Sequence, residues 1–471
     1  MKCQTHIRLG FFRFYFFFTT ILFTLLFFHS VSYANQNTFT LPQVVELALA
    51  HDSEVLDAQD NLDIALSNLQ IAEKEKGFNP TVTLTGDLAL IGEVKSGASI
   101  VISDSVALNN SSSKAASQVK QSDLKAQQAK NALEKVQENV KQKVIQRYFE
   151  ILKAEKTREM AQRLLDQSQI LLQDVETKFN QNMASSVDLL RAKQSVENSR
   201  INLAQAEKNV QFQKQQMNLL IGRDLQLPLL LEDQFSYKTF PFQLDSLTSS
   251  AVSSRSELKD LQWQREGEKL TLKDIQRDRQ AKIHLIGSYV EENYNVHLDL
   301  SSPDWSLDWR ITGQFTDDKE SLVNNIQNNT DPFTPSSPGW GVGLEVTWVP
   351  FDGGISEEKK KQQEIKIAQL ERKLNTLPDS LSLEVLDAYD RLLQTDQAVL
   401  SAQLEKQIAD ESYRIQKQQF DAGYITDRTL KESELSLHDA TVKYDKALYE
   451  YILAKVQLYQ AAGKPILLDD L

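Results

Sequence analysis

The chain repeats itself. Laid on itself with a shift of 241 positions, residues 102–222 meet residues 343–463 without a gap. The pairs include Lys120 with Lys361, Gln121 with Gln362, Leu133 with Leu374, Tyr148 with Tyr389, Phe179 with Phe420 and Gly222 with Gly463. Identities are few, but an unbroken register of this length is hard to obtain by chance. Upstream, Ala48–Val55 resembles Ala251–Leu258 at a shift of 203, and Val82–Leu84 resembles Ile283–Leu285 at 201. The second copy thus carries about 40 extra residues, placed at 297–338. The chain is therefore read as two copies of one unit, residues 35–240 and 241–471.

Each copy reads as helix, two strands, long helix, turn, helix. The opening helix runs from about Pro42, a favourable first-turn residue, to Lys76, and stops at Gly77-Phe78-Asn79-Pro80. Thr81–Ile91 and Ala98–Leu108 alternate β-branched or apolar residues with others and are separated by Gly92–Gly97. Each has the roughly 9 to 11 residues of a tilted membrane strand. Residues 114–178 contain no Gly or Pro and favour one continuous helix, about 100 Å long at 1.5 Å per residue. Copy two places strands near Ala281–Val290 and Gly339–Val349 and helices near 355–418 and 427–461. Leu377-Pro378 predicts a kink or break in its long helix, because proline removes a backbone donor.

The last helix of each copy carries heptads. Leu189, Val196, Leu203, Val210 and Met217 recur in copy one, and Leu430, Leu437, Tyr444, Tyr451 and Leu458 in copy two. A parallel layer of small residues, Ser433, Ala440, Ala447, Ala454 and Ala461, lets helix axes approach closely. An ordinary helical bundle would also use one such seam. A second series at Leu435, Val442, Tyr449 and Val456 gives this helix a neighbour on each side, as in the wall of a tube.

Residues 1–34 read as a secretory signal: Lys2, Arg8 and Arg13 precede the apolar run Phe14–Phe28, and Ser32-Tyr33-Ala34 offers small residues for cleavage. The alternative is an uncleaved anchor, for which the run is short. The single cysteine, Cys3, leaves with the signal, so no disulfide or thiol chemistry is expected. Losing three basic residues takes the formal charge from −13 to −16, which argues against nucleic acid as a partner. No later segment has 18 consecutive apolar residues, so any membrane crossing must use strands.

Over nearly its whole mature length the sequence resembles the TolC family of outer-membrane efflux proteins. The likeness rests on the duplicated plan, on the strand-to-helix junction Trp348-Val349-Pro350-Phe351-Asp352-Gly353-Gly354, and on the helix-turn segments Phe179–Ala192 and Phe420–Ser433. Copy one has Asn109-Asn110-Ser111-Ser112-Ser113 at the junction, so only one junction keeps the family pattern. The resemblance implies a mixed α/β membrane protein: a homotrimer whose twelve-stranded transmembrane β-barrel, four strands per protomer, continues into a long periplasmic α-helical barrel. It implies an outer-membrane channel that passively conducts substrates in tripartite efflux or type I secretion. The implied partners are outer-membrane lipid, a periplasmic adaptor and an inner-membrane pump of RND, ABC or MFS type.

The resemblance places the periplasmic mouth at the helix turns, with Asn182 and Gly423 at the tips and Asp188, Asp427 and Glu432 as candidate pore acids. Asp188 and Asp427 also sit where any helix N-terminus favours a carboxylate. Thr429 stands in copy two where copy one has Asp188, and Ile425 replaces a gate-associated basic residue of the best-known relative. Trp340 and Trp348 are candidates for an interfacial girdle, whereas Trp305 and Trp309 are assigned to an external loop. That loop is 297–338, rich in Asn, Asp, Ser and Pro, with a short hairpin at Ser306–Phe315. His51, His284, His297 and His438 lack metal-ligand spacing and read as isolated polar residues, and no cofactor or enzymatic signature is present. The competing function is an exported coiled-coil scaffold or adhesin, which would need no membrane-length strands.

Overall fold

The computed structural model describes residues 38–89, 95–108, 113–241, 243–291, 293–316, 333, 335, 337–466 and 468. The expected signal at 1–34, Asn109–Ser112 and most of 317–338 lie outside these residues.

The elements are β1 (Thr38–Phe39), α1 (Leu41–His51), α2 (Ser53–Glu75), β2 (Thr81–Ala89), β3 (Lys95–Ala107), α3 (Lys114–Asn180), α4 (Ser186–Leu220), β4 (Leu230–Leu231), α5 (Leu244–Ser254), α6 (Ser256–Asp278), β5 (Lys282–Val290), β6 (Tyr294–Ser302), β7 (Ser306–Thr316), β8 (Gly339–Thr347), α7 (Ile355–Asp421) and α8 (Asp427–Ala461). Helices α3 and α7 each have 67 residues and α4 and α8 each have 35, in the 241-residue register.

The opening helix is two helices. Asp52 is extended, with φ −67° and ψ 126°, and its carboxylate accepts the Glu54 N–H at 2.8 Å. That capping bond favours a fresh helix start over continuation. α1 then buries Leu41, Val44, Val45 and Ala48, while α2 exposes most of its surface. Pro378 does not break α7, which runs without interruption from Ile355 to Asp421. Proline leaves the Leu374 carbonyl without its helical donor, but a half-exposed helix surface lets water supply that bond.

The rods meet in an apolar belt where α1, α3 and α8 pack around the β1–β4 pair. Tyr148, Phe149, Tyr449 and Tyr451 are almost fully buried there. Each tyrosine hydroxyl finds an acceptor on the segment after β4: Glu232 O for Tyr148 at 2.6 Å, Asp233 Oδ1 for Tyr449 at 2.7 Å and Lys238 O for Tyr451 at 2.8 Å. Lys156 bridges Asp233 at 3.1 Å and Asp445 at 3.0 Å, offsetting part of the repulsion between the two acids this packing brings together. α8 buries both heptad series, with Val442, Tyr449 and Val456 on one side and Tyr451 and Leu458 on the other. It packs against α7 and α3, as a two-seamed helix must.

The six-stranded sheet has the order β2-β3-β7-β6-β5-β8. Its four expected strands are β2, β3, β5 and β8. The assignment of 297–316 to a loop is corrected: β6 and β7 are hydrogen-bonded to each other and to β5 and β3. Their alternate polar residues gave the segment the composition of a loop.

Candidate functional site at the sheet and the helix tips

The registers fix which residues share each face of the sheet. Val82, Ile102, Ile311, Leu298, Leu285 and Leu344 lie on one face, and His284, Ser288, Asp299, Asp308, Arg310 and Glu345 on the other. The apolar face is open: Trp340 is 80% exposed, Val342 78%, Leu344 64% and Trp348 61%. Aqueous surfaces rarely leave so continuous an apolar patch uncovered. On the polar face Ser288 donates to Phe333 O at 2.6 Å, and a Cβ on Gly343 would overlap the Phe333 ring. The Gly341-x-Gly343 spacing thus makes room for an aromatic residue on the polar face of the sheet.

Aromatic rings mark both ends of the open face. At the end remote from the long helices, Tyr289 lies 4.5 Å from Trp340 and 6.0 Å from Tyr294 between ring centroids. At the helix-side end Phe78 stacks on Trp309 at 5.9 Å, and Trp348 continues the alternation of β8. Eight residues from Trp340 to Trp348 span about 26 Å along the strand at roughly 3.3 Å per residue, or about 20 Å of height at the usual tilt of barrel strands. A bilayer-facing apolar band is about 25 Å tall. The assignment of Trp305 and Trp309 to an external loop is corrected, since the β6–β7 turn lies at the helix-side end. His284 is not isolated either: its Nδ1 shares a hydrogen bond with Asp299 Oδ2 at 2.9 Å.

The junction from β8 to α7 explains its own sequence. After Pro350 and the exposed Phe351, Gly353 and Gly354 take φ of 70° and 86°. Asp352 accepts the Gly354 N–H at 3.1 Å and the Ser356 N–H at 2.8 Å, tying the turn to the first helical residues. Asp352→Ala is expected to lower the midpoint of a denaturant titration, because the turn loses both bonds. An unchanged midpoint would show that the glycine turn holds without its cap.

At the opposite ends of the rods, Asn182 and Gly423 occupy equivalent turns with φ of 60° and 77°. Met183 N–H donates to Lys178 O at 2.7 Å, and Tyr424 N–H to Gln419 O at 2.8 Å, so both long helices end in the same left-handed cap. Asp188 belongs to a capping box, accepting from the Ser185 hydroxyl at 2.6 Å and its N–H at 3.1 Å. Those bonds hold its carboxyl below the usual carboxylate range. Asp427 pairs with Lys431 at 2.8 Å and Glu432 with Arg428 at 3.0 Å, each one turn along α8. Both pairs were readable as i,i+4 spacings. All three acids are exposed, and the basic partners leave these four α8 charges balanced.

Among the described residues no helix is long and apolar enough to cross a membrane, and no cluster of His, Cys, Asp and Glu is placed to hold a metal. A bilayer-height amphipathic sheet continuous with paired helical rods defines a protomer of an outer-membrane β-barrel protein with a helical extension. The chain belongs to the outer membrane efflux protein family, whose sequence profile matches residues 44–223 and 311–464.

Its fold is shared by the CmeC outer membrane channel of Campylobacter jejuni, at 16% identity and a TM-score of 0.65, covering 90% of this chain and 85% of that one. The outer membrane protein VceC of Vibrio cholerae matches at 12% identity and a TM-score of 0.63, covering 90% and 96%. The open-state MtrE outer membrane channel of Neisseria gonorrhoeae matches at 15% identity and a TM-score of 0.57, covering 90% and 89%. No curated protein matches the chain.

Proposed function

We propose that three copies of this chain, each exported by removal of residues 1–34 and built from repeats 35–240 and 241–471, close an outer-membrane duct with a periplasmic helical extension. The duct passively conducts substrates delivered by an inner-membrane pump through a periplasmic adaptor. The observation that carries this reading is the exposed apolar face of the sheet between two aromatic bands. An isolated sheet of this kind has two unpaired edges, β2 and β8, and lipid supplies no hydrogen bonds to satisfy them. Neighbouring copies do. The rods also leave apolar residues open for neighbours, with Leu386, Leu393 and Leu400 on α7 and Leu190, Phe212 and Leu219 on α4.

Purified protein in a planar bilayer should give stepwise conductance. A monomeric, water-soluble rod without conductance would support the scaffold reading instead.

The tips of α3–α4 and α7–α8 form the periplasmic mouth in this arrangement. Because Glu432 is matched by Arg428, the pair itself leaves the mouth's selectivity balanced, and each variant moves it in a known direction. Glu432→Gln is expected to lower the cation-to-anion permeability ratio and Arg428→Gln to raise it, each severalfold. Reversal potentials that ignore both changes would place these charges away from the conducting path.

A further inference from the structure

We propose that the β6–β7 hairpin is part of the membrane wall, so that the duct closes as an eighteen-stranded barrel. This rests on the trimeric channel proposed above. Strands β2, β3, β5 and β8 account for the twelve strands of the family plan, and the hairpin adds two in each protomer.

The hairpin occupies a place that an external flap could not. β7 pairs with β3 from Gly97↔Thr316 to Ala107↔Ser306, and β6 pairs with β5 from Ile283↔Ser302 to Val290↔Asn295. β3 and β5 are therefore separated by two full strands. Lifting the hairpin out would open two edges inside the sheet, and edges are what a lipid-embedded wall must lack.

Its height and phase also match its neighbours. β6 has 9 residues and β7 has 11, as membrane strands require, and their turn lies at the helix-side end of the sheet. Leu298 faces Trp309 and Val296 faces Ile311 on the lipid side, while His297 faces Arg310 and Asp299 faces Asp308 on the lumen side. A loop in water has no reason to keep that alternation in register with both flanking strands.

Barrel diameter grows about linearly with strand number, so eighteen strands give a ring about 1.5-fold wider than twelve and a cross-section about twofold larger. The hairpin also brings Asp299, Asp308 and Arg310 to the lumen.

Electron-microscopic imaging of the unmodified trimer in lipid should show eighteen strands and this wider ring. In parallel, Val101→Cys with Thr312→Cys, at facing positions of β3 and β7, should form a disulfide within each protomer of membrane-extracted trimers. Ser103→Cys with Ser288→Cys, which would be neighbours only if β3 bordered β5, should not. A twelve-stranded membrane trimer, or a Ser103–Ser288 crosslink without the first one, overturns the inserted hairpin and leaves the channel standing. A water-soluble monomer carrying the Val101–Thr312 crosslink overturns the channel and the barrel together.

Discussion

Arginine in place of Leu344 is expected to abolish assembly in the outer membrane, whereas arginine in place of Glu345 is expected to leave it intact. The two positions are adjacent on β8 but point to opposite faces of the sheet. Leu344 lies midway between Trp340 and Trp348, flanked by exposed Val342 and Val346 and facing Leu285 on β5. At the middle of the bilayer an arginine on the lipid face costs about 2–4 kcal/mol in each protomer. Position 345 sits opposite His284 on the polar face, where a cation can keep its water. Folding into lipid vesicles, followed by resistance to protease, separates the two outcomes. If Leu344→Arg protein inserts as fully as the parent, the apolar face does not meet lipid and the channel reading fails.

That contrast was legible from the strand period, and so was most of the helical architecture. A Gly- and Pro-free stretch gave the first 67-residue rod, and the 241-residue shift supplied its counterpart in copy two. What escaped reading did so for identifiable reasons. In β6, Asn295, His297, Asp299 and Ser301 alternate with Tyr294, Val296, Leu298 and Leu300, so averaging over the segment hid a period of two behind a polar composition. Of the kink or break expected at Pro378, the break does not occur, because α7 buries Gln363 and Ile367 on one side of it and Leu381 and Val385 on the other. The break at Asp52 was visible in principle, because His51-Asp52-Ser53-Glu54 carries a capping residue, but the apolar pattern runs through it.

The candidate mouth was read in the same mixed way. Asn and Gly at equivalent turns announced a left-handed cap. The ion pairs of Asp427 and Glu432 required asking which cations stood one turn away. The belt around Tyr148 and Tyr449 was beyond reach, because their acceptors lie 84 and 216 residues away in sequence. No local pattern records such a partnership.

Arg255→Met is expected to lower the stability of the folded protein by about 3 kcal/mol at neutral pH, through four acceptors losing one donor. Arg255 stands at the elbow between α5 and α6, the place Asp52 holds between α1 and α2 at the 203-residue shift. Asp52 caps its own helix, but Arg255 makes no such cap and reaches across the fold. Its guanidinium donates to Glu257 at 3.0 Å, to Glu384 of α7 at 3.1 Å, and to the carbonyls of Gln460 and Ala461 at 3.0 and 3.1 Å. Those carbonyls end α8, where a cation also meets the negative end of the helix dipole.

The clip leaves a pH signature on Glu257. Burial alone would raise its pKa, but hydrogen bonds from its own backbone N–H, Arg255 and Lys135 bring it from 4.5 down to about 2. A carboxyl depressed on folding stabilises the protein above its unfolded value, and that contribution is lost as pH falls from about 5 toward 2. With partial exposure taken into account, the loss is on the order of 2 kcal/mol. Glu257→Gln should flatten stability over this acid range, and Arg255→Lys should recover only part of the Arg255→Met deficit, since an ammonium cannot serve a forked set of acceptors. An Arg255→Met protein as stable as its parent, with an unchanged acid slope, would mean that packing against Gly463 holds the elbow without the charge.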